Sequence, residues 1–181
     1  LNLETNEVQD FEIEFLETND LGIGEEGCQP YEEFYPHGID IFEHVKLSGN
    51  NLSPLLEEAA LLAVVNHEKR SRVEFFLLFP VFVNLSDVIK PTLFWIGCAT
   101  GPEETTYFND VVVYDHAGSF FSTHQYDKNL GFNYLFLMNI FRFNTGHVYN
   151  WTFKDGFSVL KNSEGAWPNG IDMIGDDLYV N

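Results

Sequence analysis

A chain of 181 residues with 28 Asp and Glu against 9 Lys and Arg has a formal net charge of −19, which repels nucleic acid and anionic membrane surfaces and favours cations. An apolar content of 45%, with 16% aromatic, excludes a disordered chain and suffices for one domain with a sizeable core. The acidic residues crowd the first third of the chain, a run that reads as a solvated face rather than a binding site.

The opening Leu1-Asn2-Leu3 has no initiator Met, and no charged-then-apolar signal pattern follows it, so the chain reads as a fragment or a processed form. Phe11-Glu12-Ile13-Glu14-Phe15 alternates apolar and acidic residues as a half-buried strand does. Gly22, Gly24 and Gly27 then mark a loop, which delivers Tyr35-Pro36-His37-Gly38-Ile39-Asp40-Ile41. A polar, turn-rich insertion over residues 48–54 separates this stretch from the buried-looking strand Leu61-Leu62-Ala63-Val64-Val65, with Asn66-His67 at its end. A hairpin with an elaborated loop fits, and it sets His37 and His67 on consecutive strands. Strands follow over residues 70–79 and 93–96, and neither apolar run is long enough to span a membrane. Cys28 and Cys98 can pair or remain buried free thiols, and two cysteines alone cannot build a structural zinc site.

In Tyr107-Phe108-Asn109-Asp110-Val111-Val112-Val113, two poor strand formers stand at the head of a β-branched run, where a loop becomes a strand. Such a pair is common turn chemistry. It also offers the oxygens that hard cations bind, and adjacent side chains on an extended chain point to opposite sides, toward two different ions. Gly118-Ser119-Phe120-Phe121-Ser122-Thr123-His124 completes the hairpin. Leu130 opens and Phe141 closes a strongly apolar stretch whose structural reading is a buried strand pair. His147-Val148-Tyr149-Asn150-Trp151-Thr152-Phe153 alternates cleanly as an antiparallel strand. His44, His116 and His147 read as ordinary core or surface imidazoles. Acceptor triplets for N-glycosylation begin at Asn51, Asn84 and Asn150, which matters only in a secreted eukaryotic protein. Near the end, Trp167-Pro168-Asn169-Gly170-Ile171-Asp172 places another amide at a strand entrance, so PNGID matches PHGID as an equivalent position in a repeat.

These motifs, PHGID, the Val64-Val65-Asn66-His67 run, the FND strand with THQYDK after it, and the GAWPNGI turn, together resemble one family. It is the paraoxonase and related arylesterase or lactonase branch of calcium-dependent six-bladed β-propellers. The resemblance is best over residues 107–128 and 164–181 and poor over 42–60. It implies a histidine dyad above a tunnel Ca²⁺, with a second Ca²⁺ supporting the structure. Residue by residue, His37 and His67 match the dyad, and Asn109 and Asn169 match two ligands of the catalytic ion. Asp110 and the backbone carbonyl of Ile39 match ligands of the structural one. The stretch from Leu130 to Phe141 matches a helix at the mouth of the site that touches lipid.

The expected fold is therefore all-β, a partial propeller of about three to four blades at roughly 40 to 50 residues each, with a complete shorter β-domain as the alternative. The expected activity is calcium-dependent hydrolysis of a small ester or lactone, with His37 as general base on water and His67 orienting it or relaying its proton. The alternative is a non-catalytic binding module with structural calcium only. In the family, carboxylates from the start of the first blade and from a later blade complete the calcium shell, and neither is in this chain. Residues 1–181 alone are accordingly expected to be inactive and, with uncovered strand edges, prone to self-associate. A secreted or periplasmic location is the expectation that the family favours.

Overall fold

The computed structural model describes residues 12–15, 23–43, 59–78 and 92–181. His44, the insertion over residues 48–54 and the triplets at Asn51 and Asn84 lie outside the described residues. The elements run β1 (Glu12–Phe15), β2 (Pro36–Phe42), β3 (Ala60–Asn66), β4 (Arg72–Leu78), β5 (Thr92–Thr100), β6 (Phe108–Val113), β7 (Phe120–His124), α1 (Phe132–Ile140), β8 (His147–Thr152), β9 (Gly156–Val159), β10 (Ile171–Ile174) and β11 (Asp177–Val180). Among the described residues the fold is mostly β with a small helical share, and no sheet closes into a barrel.

Strands β3, β4 and β5 carry near-continuous apolar runs because both their faces are covered. They form the centre of a five-stranded sheet ordered β1-β5-β4-β3-β2. One face sets Val65, Phe75 and Leu77 against Phe108, Phe120 and Trp151 of a second sheet, β6-β7-β8-β9. Phe75, Phe108 and Phe120 are fully buried, and each such side chain contributes about 1.5 to 3 kcal/mol. The opposite face of the first sheet buries Phe76, Trp95 and Cys98 beneath Cys28, Tyr31 and Phe34 of the segment before β2. The second sheet likewise has a further covered face, where Val112 and Val148 meet Ile171, Met173 and Leu178 of the β10-β11 hairpin. Three antiparallel units thus stand face to face in chain order, with β1 as a parallel addition to β5.

The leading strands of the three units are neighbours, β6 lying between β2 and β10. Carboxylates tie them together. Asp40 Oδ2 accepts the Val113 N–H at 2.7 Å, and Asp110 Oδ2 accepts the Ile171 N–H at 3.1 Å. Leading strands β2 and β6 share one irregularity. Pro36 pairs with Asn66 and Ile39 with Val64, while Phe108 pairs with His124 and Val111 with Ser122, so in each case two residues oppose one. These are β-bulges, which break the alternation of side chains and re-aim them. The bulged residues are His37 with Gly38, and Asn109 with Asp110.

Two local expectations are corrected. Residues 12–15 form a strand, but all four are exposed rather than alternating: among the described residues β1 is an edge strand, and its Phe15 packs on the rings of Tyr31 and Trp95. The apolar stretch beginning at Leu130 is not a buried strand pair: it folds as helix α1 and its C-terminal turn. Strand β7 is already paired on both sides, by β6 and β8, so the connection between β7 and β8 has no free edge there to join. Leu135 anchors the helix inward, while Tyr134, Phe136, Leu137 and Ile140 are exposed. Among the described residues no helix is long and apolar enough to cross a membrane.

Candidate active site

Strand register brings the candidate residues His37, His67 and Asn109 to one end of the sheets. Pro36 faces Asn66, Asn66 faces Arg72, and Arg72 faces Thr100, so the β2 entrance, the β3-β4 turn and the end of β5 form one edge. His37 projects from the β2 bulge and is exposed, and His67 follows the last residue of β3 and is half-buried. Their rings stack face to face, with centroids 4.9 Å apart and an interplanar angle of 16°.

His67 is the fixed member. Its Nε2 lies 2.7 Å from the Phe108 carbonyl oxygen, which only accepts, so Nε2–H donates and Nδ1 keeps the lone pair. Its backbone N–H donates to Tyr35 O at 3.0 Å, and the Tyr107 ring meets it edge-on at 4.2 Å. Burial pushes the His67 pKa below its ordinary value, the Phe108 bond opposes this, and the neighbouring His37 adds to it. His67 is therefore neutral at pH 7.

Asn109, 5% exposed, closes the group. Its Nδ2 donates to Gln125 Oε1 at 3.4 Å and stands 3.1 Å from His37 Nε2. An amide nitrogen cannot accept, so His37 Nε2 takes this bond and the ring proton sits on Nδ1. The neighbouring Asp110 N–H donates to Thr123 Oγ1 at 3.0 Å, and the Thr123 hydroxyl donates to Asn169 O at 2.6 Å. One hydroxyl thereby joins the β6 entrance to the segment leading into β10. His37, His67 and Asn109 are in direct contact or stacked, whereas Asn169 joins them only through its backbone and keeps an exposed side chain. Both Asp110 carboxylate oxygens accept backbone N–H groups, Oδ1 from Val111 and Oδ2 from Ile171. Ile39 follows Gly38, whose Cα backs directly onto Asp110.

Residues without a role in the sequence reading hold this group in place. Glu74, fully buried, accepts from Asn66 Nδ2 at 3.0 Å, Trp95 Nε1 at 2.8 Å and Arg72 Nε at 2.5 Å. Burial raises its carboxyl pKa, and these three donors pull it back. Asn66 in turn accepts the Tyr35 N–H at 2.8 Å and donates to Glu33 O at 3.1 Å, fixing the segment that leads to His37. Cys28 and Cys98 form a disulfide, Cα to Cα 5.8 Å, that ties the same segment to β5. By chain entropy, closing 70 residues stabilises the fold by about 4 kcal/mol. The motifs held three of the missed residues, Thr123 and Gln125 in THQ and Asn66 in the run before His67, but nothing in one sequence marks their partners.

A second histidine pair lies on the next strands. His124 and His147 face each other across β7 and β8, ring centroids 4.9 Å apart. His124 Nδ1 accepts the Tyr107 N–H at 3.1 Å, and His147 Nε2 is buried without a hydrogen-bond partner. Burial, reinforced by His147 and opposed by Asp127, pushes the His124 pKa down to about 4. Between pH 6.5 and 4 the unfolded chain binds a proton that the folded one refuses, so acid destabilises the fold. From pH 7 to pH 5 this amounts to about 2 kcal/mol. Burial raises the carboxyl pKa of Asp40 and Glu74, and these groups act in the opposite sense. The isolating measurement is urea unfolding at both pH values for wild type and His124→Gln. The variant is expected to lose about 2 kcal/mol less on acidification, and an equal loss would contradict the assignment.

Among the described residues, one trio of His, Cys, Asp or Glu side chains lies within coordinating reach, Glu25, Cys28 and Cys98. Its thiols are spent on the disulfide. The amides of Asn109 and Asn169 with Asp110 are oxygen donors of the kind hard cations take, and they supply one carboxylate that already serves two N–H groups. As oxygen donors they suit a hard cation rather than a thiolate metal in kind, while the Asn109 amide is engaged with His37 and Gln125 and the Asn169 side chain is exposed. No family model matches the chain, and no curated protein matches it.

Proposed function

We propose that the chain is part of a β-propeller hydrolase that cleaves esters or lactones at the His37, His67 and Asn109 group. The observation that carries this reading is the stacked imidazole pair over a buried amide, with His67 held by Phe108 O and His37 open to solvent. The three face-to-face antiparallel units, with adjacent leading strands and two matching bulges, support successive blades of a partial propeller. The motif resemblance to the paraoxonase-like branch supports the same reading.

In this proposal His37 takes the proton from the attacking water, being the exposed member of the pair. With Nε2 engaged by Asn109 in the resting geometry, that bond must yield before His37 can act as base at this atom. His67 orients the pair. Stacked rings direct neither nitrogen at the other, which favours orientation over direct proton relay. Calcium, when bound near Asn109 and Asn169, would supply charge for the developing oxyanion, and Asp110 with the Ile39 carbonyl is proposed for a structural ion. Helix α1, with Phe136 and Leu137 exposed, is proposed as an apolar lid or lipid contact at the same end of the molecule. Exposed Ile39 and Ile41 on the leading strand β2 support self-association of the chain. The disulfide favours a secreted or periplasmic location.

The test is hydrolysis of phenyl acetate and a γ-lactone by the full-length protein. His37→Gln is expected to lower kcat by about a hundredfold or more, and His67→Gln to lower it with a folded melting profile. Unchanged turnover in both variants would leave the non-catalytic binding module as the reading.

A further inference from the structure

Four of the chain's 9 Lys and Arg side chains line a single open cleft of about 440 Å³, namely Lys69, Arg70, Arg72 and Lys128. Its size is that of a small-molecule pocket. The β3-β4 turn that begins with His67 supplies two of these cations, Lys69 and Arg70, and the first residue of β4 is a third, Arg72, so the cleft opens at the end of the sheets that carries the histidine pair.

The cations differ in how they are held. Arg72 is answered by carboxylates, Glu74 at 2.5 Å and Glu68 at 3.3 Å. Arg70 instead donates to the Gly101 carbonyl at 2.5 Å, and Lys128 donates to the Lys69 carbonyl at 3.0 Å. A neutral carbonyl fixes a cation without cancelling its charge. Glu68 is occupied by Arg72 and by the Glu32 N–H at 3.0 Å, which leaves Glu104 as the other carboxylate of the lining. In a chain of net charge −19, such a local excess of fixed positive charge focuses a small anion. A polyanion would be repelled by the rest of the surface.

We propose that this cleft is an anion subsite, and that the substrate is an ester or lactone bearing a carboxylate. The carboxylate rests on Arg70 and Lys128 while the acyl carbonyl is presented to His37 and His67. The substrate assignment rests on the hydrolase reading, whereas the subsite itself does not.

Calorimetric titration with glutarate tests it, with the uncharged glutaramide as control, on wild type, Arg70→Gln, Lys128→Gln, Lys69→Glu and His37→Gln. Glutarate is expected to bind saturably and more weakly in high salt, and glutaramide not to bind. Arg70→Gln and Lys128→Gln should each weaken glutarate about tenfold. Lys69→Glu keeps both carbonyl bonds intact, so it should lose binding at the wild-type melting temperature even if the other two variants fold poorly. Equal binding of glutaramide, no saturation, or wild-type affinity in Lys69→Glu would overturn the proposal. Glutarate binding that persists in His37→Gln, in a protein without esterase activity, would uphold the subsite while the hydrolase reading fell. Esterase activity with no preference for a carboxylate-bearing ester over its amide-capped analogue, and no glutarate binding, would do the reverse.

Discussion

Replacing Gly38 with alanine is expected to destabilise the fold by about 3 kcal/mol and to abolish any activity of the site. The requirement is space. A β-carbon there would stand 2.5 Å from Asp110 Cα and 2.6 Å from the Asn109 carbonyl oxygen, and would run into the Asp110 carboxylate. Backbone atoms cannot turn aside as a long side chain does, so the β2 and β6 bulges must separate. Their separation pulls His37 from Asn109 and strains the bonds that Asp40 and Asp110 make between leading strands. Urea unfolding checks it. A loss below about 1 kcal/mol, small for core overpacking, would show that the bulges do not abut.

Glu74→Gln is expected to cost about 3 to 5 kcal/mol, the range for breaking a buried ion pair. Three donors converge on the carboxylate, from Asn66, Trp95 and Arg72, and a glutamine amide turns its own N–H₂ toward at least one of them. The Arg72 charge is then left with Glu68 alone. Joint replacement of Glu74 and Arg72 by Leu and Met should recover part of the loss, because the Arg72 charge is then no longer left beside an uncharged residue 74, although Glu68 gives up its ion pair. Equal destabilisation by the double and the single variant would argue that packing, rather than charge, sets the cost.

The repeat of PHGID and PNGID, with FND between them, was readable because all three mark entrances to leading strands, where turn residues and β-branched residues meet. The placement of His37 and His67 on adjoining strands of one hairpin was readable for the same reason. Glu74 was not. Between Val73 and Phe75 it reads as the solvent face of an alternating strand, and its partners Asn66 and Trp95 lie 8 and 21 residues away. The Cys28–Cys98 pairing, across 70 residues, was equally invisible to spacing. By composition the aromatic-rich apolar run of α1 suits a strand, whereas the family resemblance matched it to a helix. Its state is decided by the strand edges already taken on β7.

The proposed reading, a hydrolase acting at the His37, His67 and Asn109 group with calcium bound near Asn109 and Asn169, meets its most direct test in one measurement. It is the rate of phenyl acetate hydrolysis by the full-length protein as free calcium is titrated down with a chelator. The account predicts saturable, reversible dependence on calcium, with turnover lost on exhaustive chelation and restored when the ion returns. Turnover that persists undiminished at vanishing free calcium would contradict it.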